Sequence, residues 1–160
     1  MEKITLDAWE VKILQVLQTD ADLSVADLAQ RIGLSQTPCW RRIKRLKDIG
    51  VIRRTAAILN RHSLGLEFVS YTYVKLALPS RDNMIAFEDA IQQWPEVTLC
   101  EKVTGAVDYL IKVVCPNIQD YDAFLRDKLL ALSLVADTQS RIVVSTIKDE
   151  TSLPLGQVGD

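Results

Sequence analysis

The sequence predicts an α+β chain made of two unlike halves, and three observations carry that prediction. The first 50 residues hold three successive helix-start signals. Beyond a polar stretch near residue 60, the apolar spacing changes and strand-like runs alternate with helical ones. The charge divides at the same place. Residues 1–62 carry eleven Lys+Arg against seven Asp+Glu, and residues 63–160 carry eight against fourteen, so +4 and −6 hide behind the net −2. A basic part joined to an acidic part predicts that only the first meets a polyanion.

Length and composition bound the possibilities. A chain of 160 residues with 48% apolar content holds one ordinary domain or two small ones and is not wholly disordered. No apolar run is long enough to span a bilayer and no cationic-then-apolar leader is present, so a cytoplasmic protein without membrane contact is expected. Cys39, Cys100 and Cys115 stand at no pair spacing and read as reduced thiols. The single histidine, His62, has no Cys or His at ligand spacing, so no metal site and no cofactor are expected.

The elements follow in order. Asp7 precedes Glu10 by three residues, with Leu6 and Val11 as a hydrophobic staple; this starts a helix over about Ala8–Gln18 that buries Trp9, Ile13, Leu14 and Leu17. Ser24 and Asp27, with Leu23 and Leu28, start a second over Val25–Ile32, closed by Gly33. Ser35, as N-cap, starts a third that ends near Ile49-Gly50, with Pro38 in its first turn, where a proline is tolerated. Read at helical spacing, Cys39, Ile43 and Leu46 share one side of this helix. Thr37, Arg41, Lys44 and Arg45 share the other, with Trp40 on the flank. Two helices joined by a short glycine turn, the second bearing a cationic face, form a helix-turn-helix suited to a nucleic-acid groove. Val51–Leu59 reads as an extended wing carrying Arg53 and Arg54, and residues 61–66 as a hinge in which His62 is a turn residue rather than a pH switch.

After the hinge come a strand over Phe68–Leu78, a helix over Asn83–Trp94, a strand over Val97–Thr104, a Gly105-Ala106-Val107 turn and a strand over Asp108–Cys115. A helix over Ile118–Leu132 and a strand over Gln139–Lys148 complete a βαββαβ order, a ferredoxin-like arrangement with helices on one sheet face. Tyr71, Tyr73, Leu110 and Val143 are the expected cover of the other face, where a second copy would sit. The expected domains are 1–60, the hinge 61–66, and 67–160.

A winged helix-turn-helix hinged to a βαββαβ domain resembles the Lrp/AsnC, or feast/famine, family of transcription regulators. The residues that carry the resemblance are Leu6-Asp7 with Ile13-Leu14, Leu34-Ser35-Gln36-Thr37-Pro38-Cys39 with Arg42 and Leu46, Gly50-Val51-Ile52, and Leu64-Gly65. Trp94-Pro95-Glu96-Val97, Thr104-Gly105-Ala106-Val107-Asp108-Tyr109 and Lys148-Asp149-Glu150-Thr151-Ser152-Leu153-Pro154-Leu155 complete the set. One departure is visible: Ser133-Leu134-Val135-Ala136-Asp137 stands where the family often has Pro-Gly-Val, beside the effector site.

The resemblance implies a nucleoid-associated, sequence-specific regulator of amino-acid metabolism that binds double-stranded DNA as a homodimer assembling to an octamer, and that answers to an amino-acid effector. Base contact falls to Gln36, Thr37 and Arg41 at the start of the third helix, with Ser35 at its cap. Arg42, Lys44, Arg45, Lys47, Arg53 and Arg54 hold phosphates. Trp40 is expected to pack on the wing, with contact to a thymine methyl as the alternative. The implied effector cleft comprises Val103, Thr104, Gly105, Ala106 and Asp108, with Thr138 and Ser140 on the facing strand. There Asp108 accepts the ammonium, while the Gly105-Ala106 amides and the Ser140 hydroxyl donate to the carboxylate. Read from the residues alone, Gly105 and Asp108 merely shape a hairpin. No catalytic residues are expected, because no nucleophile–base pair, carboxylate pair or phosphate loop is present. The rival reading is a broadly binding nucleoid-organising protein without a working ligand switch.

Overall fold

The fold follows from local capping and two separate apolar clusters. A computed structural model describes residues 4–157. It divides into two units: Met1–Ile58 with Lys148–Asp160, and Leu59–Ile147.

The first unit contains α1 (Ala8–Leu17), α2 (Val25–Ile32) and α3 (Gln36–Asp48). Asp7 and Glu10 form the reciprocal capping box that their spacing predicts. The Ser24 hydroxyl accepts the Asp27 N–H, and Gly33 ends α2 at φ 75°. Ser35 has the extended N-cap backbone but makes no side-chain cap bond. Its N3 position is Pro38, which has no N–H to offer. Leu6, Ile13, Leu14, Leu28, Ala29, Cys39 and Leu46 are the core. Trp9, expected inside, is only half-buried, whereas Glu10 beside it is 3% exposed.

Two further expectations change in this unit. Residues 53–60 have no regular secondary structure, so the wing is an irregular exposed segment rather than a strand. The tail from Lys148 groups with this unit, not with residues 67–147. The cause is local: Leu155 packs on the helical core, and the Gln18 carboxamide pairs with both the N–H (2.6 Å) and the carbonyl (3.2 Å) of Leu153.

The second unit opens with a 3-10 turn at His62–Leu64, closed by Gly65 at φ 72°. Then come β1 (Phe68–Leu76), α4 (Arg81–Gln92), β2 (Val97–Lys102), β3 (Tyr109–Cys115), α5 (Ile118–Phe124) and β4 (Val135–Ile142). The sheet order is β2-β3-β1-β4, antiparallel throughout, as a βαββαβ chain requires. Val74, Leu76, Tyr109, Ile111 and Val113 of the sheet are buried with Phe87 and Ile91 of α4 and Tyr121 and Phe124 of α5. Strand alternation therefore turns Tyr71, Tyr73 and Leu110 to the opposite face.

Most boundaries shift by one or two residues, with α4 at Arg81–Gln92 rather than Asn83–Trp94, and two elements differ more. The helix begun at Ile118 opens at Leu125–Leu129 into a π turn, marked by the Leu130 N–H bonded to the Leu125 carbonyl. The last strand begins four residues and ends six residues earlier than predicted. The apolar run Ile142-Val143-Val144 imitates a strand centre, but Val144 and Ile147 are 98% and 92% exposed beyond its end.

Candidate DNA-reading helix and effector turn

The interface is built on α3, which is held by one apolar seam. Cys39 and Leu46 are fully buried and Ile43 half-buried, so the opposite side is forced outward. Gln36, Thr37, Trp40, Arg41, Lys44 and Lys47 are all exposed. At about 100° per residue they occupy an arc of roughly 140°. Trp40, expected to pack on the wing, is 52% exposed, and Lys44 Nζ stands 5.6 Å from its ring centroid. The exposed Arg53 and Arg54 follow at the irregular segment.

Arg42 and Arg45 behave differently from the cations around them. Arg42 Nε donates to Asp7 Oδ2 at 3.1 Å, and its NH1 reaches the Pro38 carbonyl at 3.4 Å. Arg45 NH1 donates to Glu10 Oε1 at 2.5 Å. Both acids belong to the α1 cap. Burial pushes the Asp7 carboxyl up, but the Glu10 N–H, the Arg42 guanidinium and the Trp9 N–H outweigh it and hold the group below its ordinary value. Burial raises the Cys39 thiol against the opposing pull of Arg42, which leaves a packed, unreactive sulfur.

In the sheet unit, Val103 to Asp108 form one tight connection. The Val103 N–H bonds the Asp108 carbonyl (2.9 Å), and Gly105 sits at φ 120°, which favours glycine. Thr104, Gly105 and Ala106 are exposed, and Val103 and Asp108 half-buried. The Asp108 N–H donates to the Val74 carbonyl (2.9 Å) and its Oδ2 accepts the Leu76 N–H (2.8 Å). Thr138 pairs with Val74 across the other edge of β1, so Asp108 and Thr138 flank one stretch of that strand.

Ser140 is placed otherwise. It pairs with Thr72, and its Oγ lies 2.5 Å from the Tyr121 hydroxyl, which in turn contacts Thr72 Oγ1 (2.6 Å) and Ser70 Oγ (3.1 Å). Ser70 and Thr72 are fully buried. Ser140 thus joins a hydroxyl cluster beneath α5 rather than lining the turn. This cluster is missed by sequence reasoning, although Ser70 and Thr72 two apart in an apolar strand are its signal. Tyr109, after the turn, is buried and donates to Glu88 Oε1 at 2.7 Å; burial and then that carboxylate push its phenol up.

Both parts match known families. Residues 6–53 match the winged helix-turn-helix DNA-binding family, and residues 70–153 match the Lrp/AsnC ligand binding domain. The chain belongs to the Lrp/AsnC family. One Lrp/AsnC relative is a proline dehydrogenase transcriptional activator of Rhizobium radiobacter, 37% identical across 90% of this chain and 92% of its own. Another is the transcriptional regulator AzlB of Bacillus subtilis, 32% identical across 97% and 99%. Among solved structures, a Neisseria meningitidis transcriptional regulator in complex with L-Met has a TM-score of 0.92 at 38% identity, covering 96% of this chain and 99% of that one. An AsnC family regulator from Agrobacterium tumefaciens has a TM-score of 0.90 at 38% identity over 95% and 99%. The resemblance read from the motifs is thereby established, as is the α+β fold class. Among the described residues no helix is long and apolar enough to cross a membrane, and no group of His, Cys, Asp and Glu is placed to hold a metal ion.

Proposed function

We propose that this chain is a cytoplasmic, sequence-specific regulator of amino-acid metabolism whose DNA binding or assembly responds to an amino acid. The supporting observation is the exposed arc of Gln36, Thr37, Trp40, Arg41, Lys44 and Lys47 on a chain that also carries an Lrp/AsnC ligand binding domain. A buried seam on one side and cations on the other suit a helix lying in the major groove. The L-Met complex of the Neisseria regulator, 38% identical, favours an amino acid as effector and makes methionine the first to test.

The effector is read at the Val103–Asp108 turn. The second oxygen of Asp108 is its ammonium acceptor, and the exposed Gly105-Ala106 amides are the carboxylate donors. Thr138 is the neighbour across β1, and Ser140 supports the strand from beneath. A second copy covers the Tyr71, Tyr73 and Leu110 face, with octamers built from such dimers. A ligand shifts assembly only through unequal affinity for two arrangements.

Thermal-shift screening with the twenty amino acids, footprinting and sedimentation test the whole reading. Discrete phased half-sites and a shift for one amino-acid class are expected. Long unphased protection that no amino acid alters would favour the architectural role instead.

A further inference from the structure

The Asp7–Glu10 cap does more than start a helix. Each carboxylate uses one oxygen locally: Asp7 Oδ1 accepts the Glu10 N–H at 2.7 Å, and Glu10 Oε2 accepts the Asp7 N–H at 3.0 Å. Each turns its second oxygen to α3, Asp7 Oδ2 to Arg42 and Glu10 Oε1 to Arg45. The partners stand three apart on both segments, and each pair is separated by 35 residues, so the two ion pairs run in register. Glu10 is nearly fully buried while Arg45 is 49% exposed, so the carboxylate, shut off from water, depends on the guanidinium for its partner. Arg41 lines the same surface depression as these four side chains, so the clasp adjoins the exposed arc.

We propose that Asp7 and Glu10 are positioning residues for DNA reading. They hold Arg42 and Arg45 as a clasp that sets the roll of α3 about its axis and withholds these two cations from the phosphate count. The inference rests on the regulator reading above and divides the basic helix in two. Arg41, Lys44 and Lys47 meet DNA; Arg42 and Arg45 aim them. A guanidinium already neutralised by a carboxylate releases little counterion when DNA arrives, so the clasp should be silent in the salt dependence of binding.

The test uses full-length protein, a duplex selected from a random pool, and a random duplex, each titrated across salt. Glu10→Gln keeps the length of the side chain and one acceptor oxygen, which can serve the Asp7 N–H, but frees the charge of Arg45. Random-duplex binding should tighten, the log–log salt slope should steepen by up to about one, and the preference for the selected duplex should fall about tenfold. Glu10→Gln with Arg45→Gln, a neutral hydrogen-bonded pair, should return slope and preference to those of the wild type. A fall of about one in the slope for Arg45→Gln, alone or in the double variant, makes Arg45 a phosphate contact and overturns the clasp. Wild-type protein without preference for any selected duplex would instead remove the regulator reading beneath it. If Arg45→Gln alone fails to fold, the double variant still decides.

Discussion

The Asp108 carboxylate accepts the Leu76 N–H at 2.8 Å, just beyond the last β1–β3 pair, Val74 with Tyr109. Past the end of a ladder an amide has no strand partner, and a side chain from the adjoining connection supplies the missing acceptor. Asp108→Ala should destabilise the sheet unit by about 1–3 kcal/mol. Asp108→Asn still presents an oxygen to Leu76, so chemical denaturation should show a much smaller loss. Calorimetry with the amino-acid effector separates the roles: the asparagine variant stays folded yet loses the ammonium's charged partner, with affinity down about tenfold or more. Equal stability losses in both variants would show that the carboxylate does not serve Leu76.

Arg41→Ala should relax sequence preference while affecting random DNA little. Lys47→Ala should weaken every duplex alike and lower the salt slope by about one. Filter binding at several salt concentrations reads both, and identical profiles for the two variants would refute the division.

Tyr121 is the hub of the hydroxyl cluster, contacting Ser70, Thr72 and Ser140. Tyr121→Phe keeps the ring contact with Phe68, at 4.9 Å between centroids, and removes only the hydroxyl. The buried Thr72 and the half-buried Ser140 each lose a partner, so urea unfolding should show a loss of about 1–3 kcal/mol. A double variant with Thr72→Val should lose less than the two changes summed.

Acid should loosen the clasp of the helical unit. The Asp7 carboxyl titrates below its ordinary 3.8 in the folded state, so the unfolded chain binds that proton more tightly. The stability it confers is complete above about pH 3.8 and disappears as pH falls through the lower folded value. Glu96 follows the same sign below its ordinary 4.5: burial pushes it up, but Lys128, at 2.6 Å, outweighs burial. Asp7 is 47% exposed, so water screens the effect and the change is small. Asp7→Asn should flatten the acid limb of the thermal midpoint by lowering the neutral plateau slightly, toward the value the wild type reaches in acid.

Much of this was legible because it is local. Val25–Ile32 has the predicted bounds, since Ser24 and Gly33 signal them within a turn of the helix itself. Asp7 and Glu10 were readable as a cap for the same reason. Their spare oxygens were not, because Arg42 and Arg45 lie 35 residues away. Trp40 reads as wing cover because indole is apolar, yet it is 52% exposed. Asp108 and Ser140 were identifiable as polar groups near one connection. Only strand pairing reveals that Asp108 serves the Leu76 amide while Ser140 faces Tyr121. The last strand was misplaced because apolar alternation continues through Ile142 and Val144, whereas hydrogen bonding to β1 ends at Val143.

The tail that seats Leu155 on the helical core makes the chain cross between its units twice, after Ile58 and after Ile147. A protease nick at the first crossing therefore does not release the reading unit, because the far end of the polypeptide still grips it through Gln18 and Leu155. Conversely, a fragment stopped near residue 60 exposes a notch that its own C-terminal segment should fill. Splicing residues 148–157 behind Ile58 through a short glycine-serine bridge would give the better excised module.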